Sequence, residues 1–148
     1  IRSPSGTVIY TAPYDASRII SESTIATFKN ILKTVTEEGG TATDAAIDGN
    51  QVAGKTGTAQ ELDPRTKKYS KDKYISSFVG FVPADAPRIA MIVVIHEPKG
   101  AIYGGVVAGP VFKNIANSSL SYLSVLRDDS RERRLLLVSE NETGKRQE

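Results

Sequence analysis

The sequence predicts an α/β fold in which helices are layered on an antiparallel sheet. Residues 74–82 and 89–95 have strand character, and short, turn-forming connections join successive strands, which favours antiparallel pairing. Two stretches, one starting at Ser21 and one around Val111, instead repeat apolar residues at helical spacing. The run Ile89-Ala90-Met91-Ile92-Val93-Val94-Ile95 is apolar on both faces, so it needs cover on both sides, which places helices on each face of the sheet.

In chain order, residues 1–10 read as two short extended arms around Ser3-Pro4-Ser5-Gly6, a proline and glycine pattern that favours reversal. Ser21 is suited to cap a helix, Glu22 suits its positive end, and Ile25, Phe28, Leu32 and Val35 fall on one face. Gly39-Gly40 ends that helix, leaving Glu37 and Glu38 at its negative end, where they are expected to answer something outside it. Residues 41–50 form a connector with a short strand near 45–47, and Asp48-Gly49 turns the chain into a new strand, Val52-Ala53-Gly54-Lys55-Thr56-Gly57-Thr58-Ala59-Gln60. Residues 61–73 read as an exposed, mobile charged loop. Pro83-Ala84-Asp85-Ala86-Pro87 is a reversal between the apolar strands, and residues 97–105 are a loop. In the second helix Val111, Phe112, Ile115, Ala116 and Leu123 face the sheet, and Pro110 is tolerated in its first turn. The Phe28 and Phe112 faces are both assigned to the core. Residues 1–126 make the domain, and 127–148, of mixed charge, read as a disordered tail.

Composition narrows the function classes. A chain of 148 residues can build one core, and a formal charge of +2 with interspersed signs calls for no nucleic-acid partner. The absence of cysteine excludes disulfides and thiolate metal sites. The longest apolar run, 89–95, is far shorter than the roughly 20 residues that cross a bilayer, and no signal sequence opens the chain. The protein is therefore expected to be soluble, or to carry its targeting segment outside this sequence. The opening Ile1-Arg2-Ser3-Pro4 favours a piece of something longer.

The chemistry concentrates in the lysine segment. On an extended strand, the Lys55 ammonium and the Thr56 hydroxyl converge on an anionic group, while Gly57, without a side chain, lets an extended ligand lie beside the backbone. Thr58 can offer its N–H to a developing oxyanion and its hydroxyl to a carboxylate. Such a site holds an anionic, peptide-like substrate but has no nucleophile of its own.

The triplet Lys55-Thr56-Gly57 matches the third signature of penicillin-binding proteins and class A β-lactamases. Around it, Glu38-Gly39-Gly40-Thr41, VAGKTGTAQ, YISSFVGFVPADAPR, IVVI and YGGVVAGPVFKNI, in this order, resemble the C-terminal part of the transpeptidase domain of class B penicillin-binding proteins, and the cell-division (septal) member more than the elongation member. The resemblance covers residues 1–123 and implies an incomplete penicillin-binding/β-lactamase-like transpeptidase fold. It implies a serine-type D,D-transpeptidase that crosslinks cell-wall peptides. Lys55 would share in proton traffic and carboxylate binding, Thr56 would bond the carboxylate, Gly57 would keep the strand edge open, and Thr58 would give one oxyanion donor. It implies peptidoglycan stem peptides and β-lactams as ligands, cell-division membrane proteins as partners, and no metal or organic cofactor. It also implies a place outside the bacterial cytoplasmic membrane, tethered by an N-terminal anchor that this sequence lacks.

The family places its nucleophilic serine and its middle motif before the lysine strand, and nothing in residues 1–54 supplies them. Ser70-Lys71-Asp72-Lys73 fits a serine-x-x-lysine pattern and Ser139-Glu140-Asn141 imitates the middle motif, but both fall after the lysine strand and are taken as coincidences. The chain is therefore expected to be inert alone. Two other readings stay open. Gly49 to Thr56 fits the phosphate-binding Walker A pattern, which requires a helix directly after Thr56. A transpeptidase-like interaction module without catalysis is the other. His96, the single histidine, is read as a polar strand end, and Tyr103-Gly104-Gly105 as either a turn or a substrate-side loop.

Overall fold

A computed structural model describes residues 3–11 and 17–125; the tail expected at 127–148 lies outside the described residues. Its elements are α1 (Glu22–Lys33), a 3₁₀ turn (Thr43–Ala45), β1 (Ala53–Leu62), β2 (Tyr69–Val82), β3 (Ile89–His96), α2 (Gly104–Val107) and α3 (Gly109–Tyr122). The strands form one antiparallel sheet in the order β1-β2-β3, as the hairpin connections predicted.

Near the start, Ser3 to Thr7 makes the expected reversal, with Gly6 at φ 84° and Ser3 N–H donating to Thr7 O at 2.8 Å. The extended arms do not form strands within the described residues, and Val8, Ile9 and Tyr10 are exposed there. Ser21 caps α1 by accepting from Thr24 N–H at 3.1 Å. The helix stops at Lys33, earlier than predicted, and successive turns carry the chain to Gly39 at φ 78°. Val35 therefore reaches the core from a turn. Thr36 Oγ1 donates to Val52 O at 3.0 Å, so this buried hydroxyl ties the turn to the entrance of β1. Glu37 does answer a group outside the helix, accepting from Gln51 Nε2 at 3.1 Å. In place of the strand expected at 45–47 there is the 3₁₀ turn, followed by a bridge between Ile47 and Asn50 that closes the reversal at Gly49.

The stretch read as a long loop at 61–73 is mostly sheet. β1 runs on to Leu62 and β2 begins at Tyr69, so the loop proper is short, and the charged side chains lie along a largely exposed ribbon. Lys73 Nζ of β2 meets Glu97 Oε1, just past the end of β3, at 2.7 Å; the hydrogen bond holds the Glu97 carboxyl below, and the Lys73 ammonium above, their ordinary values.

The core lies between one face of the sheet and α3. Phe78 and Phe112, both fully buried, meet edge to face with ring centroids 4.9 Å apart, and Val52, Val82, Ala116 and Leu120 complete the packing. Val111 and Ile115, expected to face the sheet, are instead largely exposed, because the buried stripe of α3 runs through Phe112, Ala116 and Leu120. Pro110 sits in the first turn of α3 as predicted, while Gly104 and Gly105, expected in a loop, open α2. The opposite face of the sheet is the larger departure. Val79, Ile92 and Val94 are 48%, 62% and 45% exposed, so among the described residues helical cover is complete on one face only. Phe28 of α1, assigned to the core from sequence, is likewise exposed.

Candidate active site

β1 is an edge strand. It pairs with β2 alone, so its other side has no strand neighbour among the described residues. Lys55, Thr56, Gly57 and Thr58 lie consecutively on it, opposite Val79, Phe78, Ser77 and Ser76. Residues directly opposite share a face, so Thr56 and Thr58 belong to the α3 side and Lys55 and Gly57 to the uncovered side. The lysine nevertheless bends back: its ammonium donates to Thr56 O at 2.9 Å and to Thr56 Oγ1 at 3.3 Å. Ammonium and hydroxyl are thereby brought together, and Lys55 and Thr58 are both exposed.

Two partners of this strand were not legible from spacing. Gly104 N–H, at the start of α2, donates to Thr58 Oγ1 at 3.1 Å, 46 residues away in the chain. The Thr58 hydroxyl is thus held as an acceptor and keeps its own proton for another group. Thr41 Oγ1 lies 3.3 Å from Thr56 Oγ1. The only sequence signals for either were the motifs around Thr41 and around Tyr103-Gly104-Gly105, which carried no indication of what they touch.

The glycines of the site are packed. A Cβ on Gly57 would come 2.5 Å from Ser77 Oγ, and one on Gly104 would come 2.1 Å from Ser77 O and 2.4 Å from Gly57 O. Gly104 therefore seats α2 directly against the backbone of the lysine strand and its neighbour. Ser76 reinforces this seat from β2, its hydroxyl donating to Ile102 O.

The nucleotide alternative fails on the same geometry. The strand continues through Thr56 to Leu62, where a phosphate loop needs a helix with its N–H groups fanned around the anion. Ser70 lies on β2 with Oγ accepting from Asp72 and Lys73 N–H groups, and Lys73 is engaged by Glu97, so this serine-x-x-lysine does not open a helix. His96 is exposed at the end of β3.

An antiparallel sheet backed by a C-terminal helix, with a lysine-threonine-glycine on its edge strand, defines the penicillin-recognising class of acyl-transfer domains. The family described as penicillin binding protein transpeptidase domain matches residues 8–117, and the chain belongs to that family. The probable peptidoglycan D,D-transpeptidase PenA of Neisseria meningitidis (serogroup A) is 46% identical over 109 residues, covering 73% of this chain and 18% of PenA. Peptidoglycan D,D-transpeptidase FtsI of Escherichia coli K12 is 37% identical over 117 residues, 78% of this chain and 20% of FtsI. Among solved structures, penicillin-binding protein 3 of Mycobacterium tuberculosis complexed with ampicillin superposes with a TM-score of 0.72 at 32% identity, over 85% of this chain and 30% of that one. These relatives are class B penicillin-binding proteins, and the chain spans about a fifth of the length of the two curated ones.

Proposed function

We propose that this chain supplies the lysine-strand side of a serine-type peptidoglycan D,D-transpeptidase of the cell-division type. The observation that carries the proposal is the placement of the Lys55 ammonium and the Thr56 and Thr58 hydroxyls on an edge strand beside a glycine. In this role an extended stem peptide, or a β-lactam, lies along β1. Lys55 and Thr56 bind its carboxylate, Thr58 N–H receives the negative charge that develops on the attacked carbonyl oxygen, and Gly57 leaves room for the backbone. The nucleophilic serine belongs to a segment N-terminal to this chain and reaches the substrate at the β1 edge, where the Lys55 ammonium sits beside Thr56.

In the reaction, the serine Oγ bonds to the peptide carbonyl carbon, the C–N bond breaks, and the departing amine takes a proton. The amine of a second stem peptide then attacks the serine ester, releases the oxygen with its proton restored, and leaves a crosslink. The lengths of PenA and FtsI support a longer parent protein. Catalysis on the outer side of the cytoplasmic membrane, with membrane partners of division, follows from the same reading.

A fluorescent penicillin tests it. The 148-residue chain alone is expected to form no covalent adduct, whereas the full-length protein forms one that survives denaturing electrophoresis. An adduct on the chain alone, or none on the full-length protein, contradicts the proposal.

A further inference from the structure

The hydroxyl of Thr56 has one proton and two lone pairs, and its neighbours decide which of them a ligand meets. The Lys55 ammonium, which can only donate, occupies one lone pair at 3.3 Å. Thr41 Oγ1 stands at 3.3 Å on the same oxygen, from a segment distant in sequence, and the direction of that bond is not fixed by geometry. If Thr56 donated to Thr41, its proton would be spent within the protein and it could offer nothing to an anion.

We propose that Thr41 is a positioning residue for Thr56. Thr41 donates, so that Lys55 and Thr41 together fill both lone pairs and the Thr56 proton points at the ligand carboxylate. The ligand's negative charge selects this direction, because a carboxylate accepts and cannot donate, and each donor along the chain polarises the next. The segment carrying Thr41 is built to hold this place. Ala42, next in sequence, is buried and its N–H donates to Val35 O at 2.9 Å. On the other side the chain abuts α2 so closely that a Cβ on Gly105 would lie 1.9 Å from Thr41 O. Adjacent glycines thus organise both hydroxyls of the lysine strand: Gly104 donates to Thr58, and Gly105 makes room for the backbone of the residue that donates to Thr56.

The inference rests on the transpeptidase proposal, and its test separates the two. In the full-length protein, the second-order rate constant of acylation by benzylpenicillin is measured for Thr41→Val, Thr41→Ser, Thr56→Val and the Thr41→Val/Thr56→Val double variant. Thr41→Val is expected to lower the rate about five-fold, the size of one neutral hydrogen bond, through weaker initial binding. Thr41→Ser, which keeps the hydroxyl, restores most of it. On the Thr56→Val background, Thr41→Val has no further effect, because its route of action is already gone. Equal loss in Thr41→Ser and Thr41→Val, or a full additional loss on the Thr56→Val background, overturns the assignment. Should Thr41→Val unfold the segment, visible as a lowered melting temperature, Thr41→Ala takes its place in the same cycle. Failure of the unmutated protein to form any adduct would overturn the transpeptidase proposal itself; an adduct formed equally fast by Thr41→Val overturns only the role of Thr41.

Discussion

Gly57 and Gly104 look alike in sequence and differ in what surrounds them. The atom that a Gly57 Cβ would strike is Ser77 Oγ at 2.5 Å, the end of a side chain that can rotate away. Gly104 faces two backbone carbonyl oxygens, at 2.1 and 2.4 Å, which can yield only if α2 moves off the sheet. Gly57→Ala is therefore expected to cost less than about 1 kcal/mol of stability, and Gly104→Ala about 1–3 kcal/mol as an overpacking change. Gly104→Ala also slows penicillin acylation, since its N–H orients the Thr58 hydroxyl. Thermal melts of the two variants in the full-length protein, with acylation rates beside them, check this; equal melting temperatures would contradict it. At this scale the sequence was informative where chemistry is local. Lys55, Thr56 and Thr58 are neighbours, and strand geometry brings them to one edge. Thr41 and Gly104 reach the site through tertiary contacts, for which no spacing rule exists.

Among the elements, α1 shows where pattern reading holds and where it fails. Its start was legible because a capping serine acts within one turn, and Ser21 does accept from Thr24 N–H. Its end was not. Val35 continues the apolar period, but the buried bond from Thr36 Oγ1 to Val52 O draws the chain out of the helix to meet β1. Lysines of α1 also fix it to the reversal between β2 and β3: Lys29 and Lys33 Nζ lie 3.0 and 2.9 Å from Asp85 Oδ1. The hydrogen bond from Lys33, then that from Lys29, lowers the Asp85 pKa below the ordinary aspartate value. A depressed carboxylate contributes stability that is present above its unfolded pKa, near 4, and is lost as pH falls through the folded value. Asp85→Asn is thus expected to lower stability by about 0.2–1 kcal/mol at pH 7, the scale of exposed ion pairs, with the difference shrinking below about pH 4. Denaturant titrations of both proteins across that range check the sign; a gap that widens on acidification would contradict the pairing. The β1–β2 ribbon was misjudged for a different reason: its charges look like loop composition, yet an edge hairpin beyond the core keeps strand geometry with both faces in water.

For the molecule as a whole, the sheet was legible and its surroundings only in part. The all-apolar β3 called for cover on both faces; α3 provides it on one, through Phe112, Ala116 and Leu120, while Ile92 and Val94 remain open on the other. By register, Lys55 belongs to that same open face, although its ammonium bends back to Thr56. The match to the penicillin binding protein transpeptidase domain runs over residues 8–117 and so includes the whole of this sheet. No helix among the described residues is long and apolar enough to cross a membrane. The most direct measurement is the acylation rate of the full-length protein by benzylpenicillin with Lys55 intact and with Lys55→Ala. Removing the ammonium from the strand edge is expected to slow acylation about 100-fold or more, with the melting temperature little changed. Acylation of Lys55→Ala at the unmutated rate would contradict it.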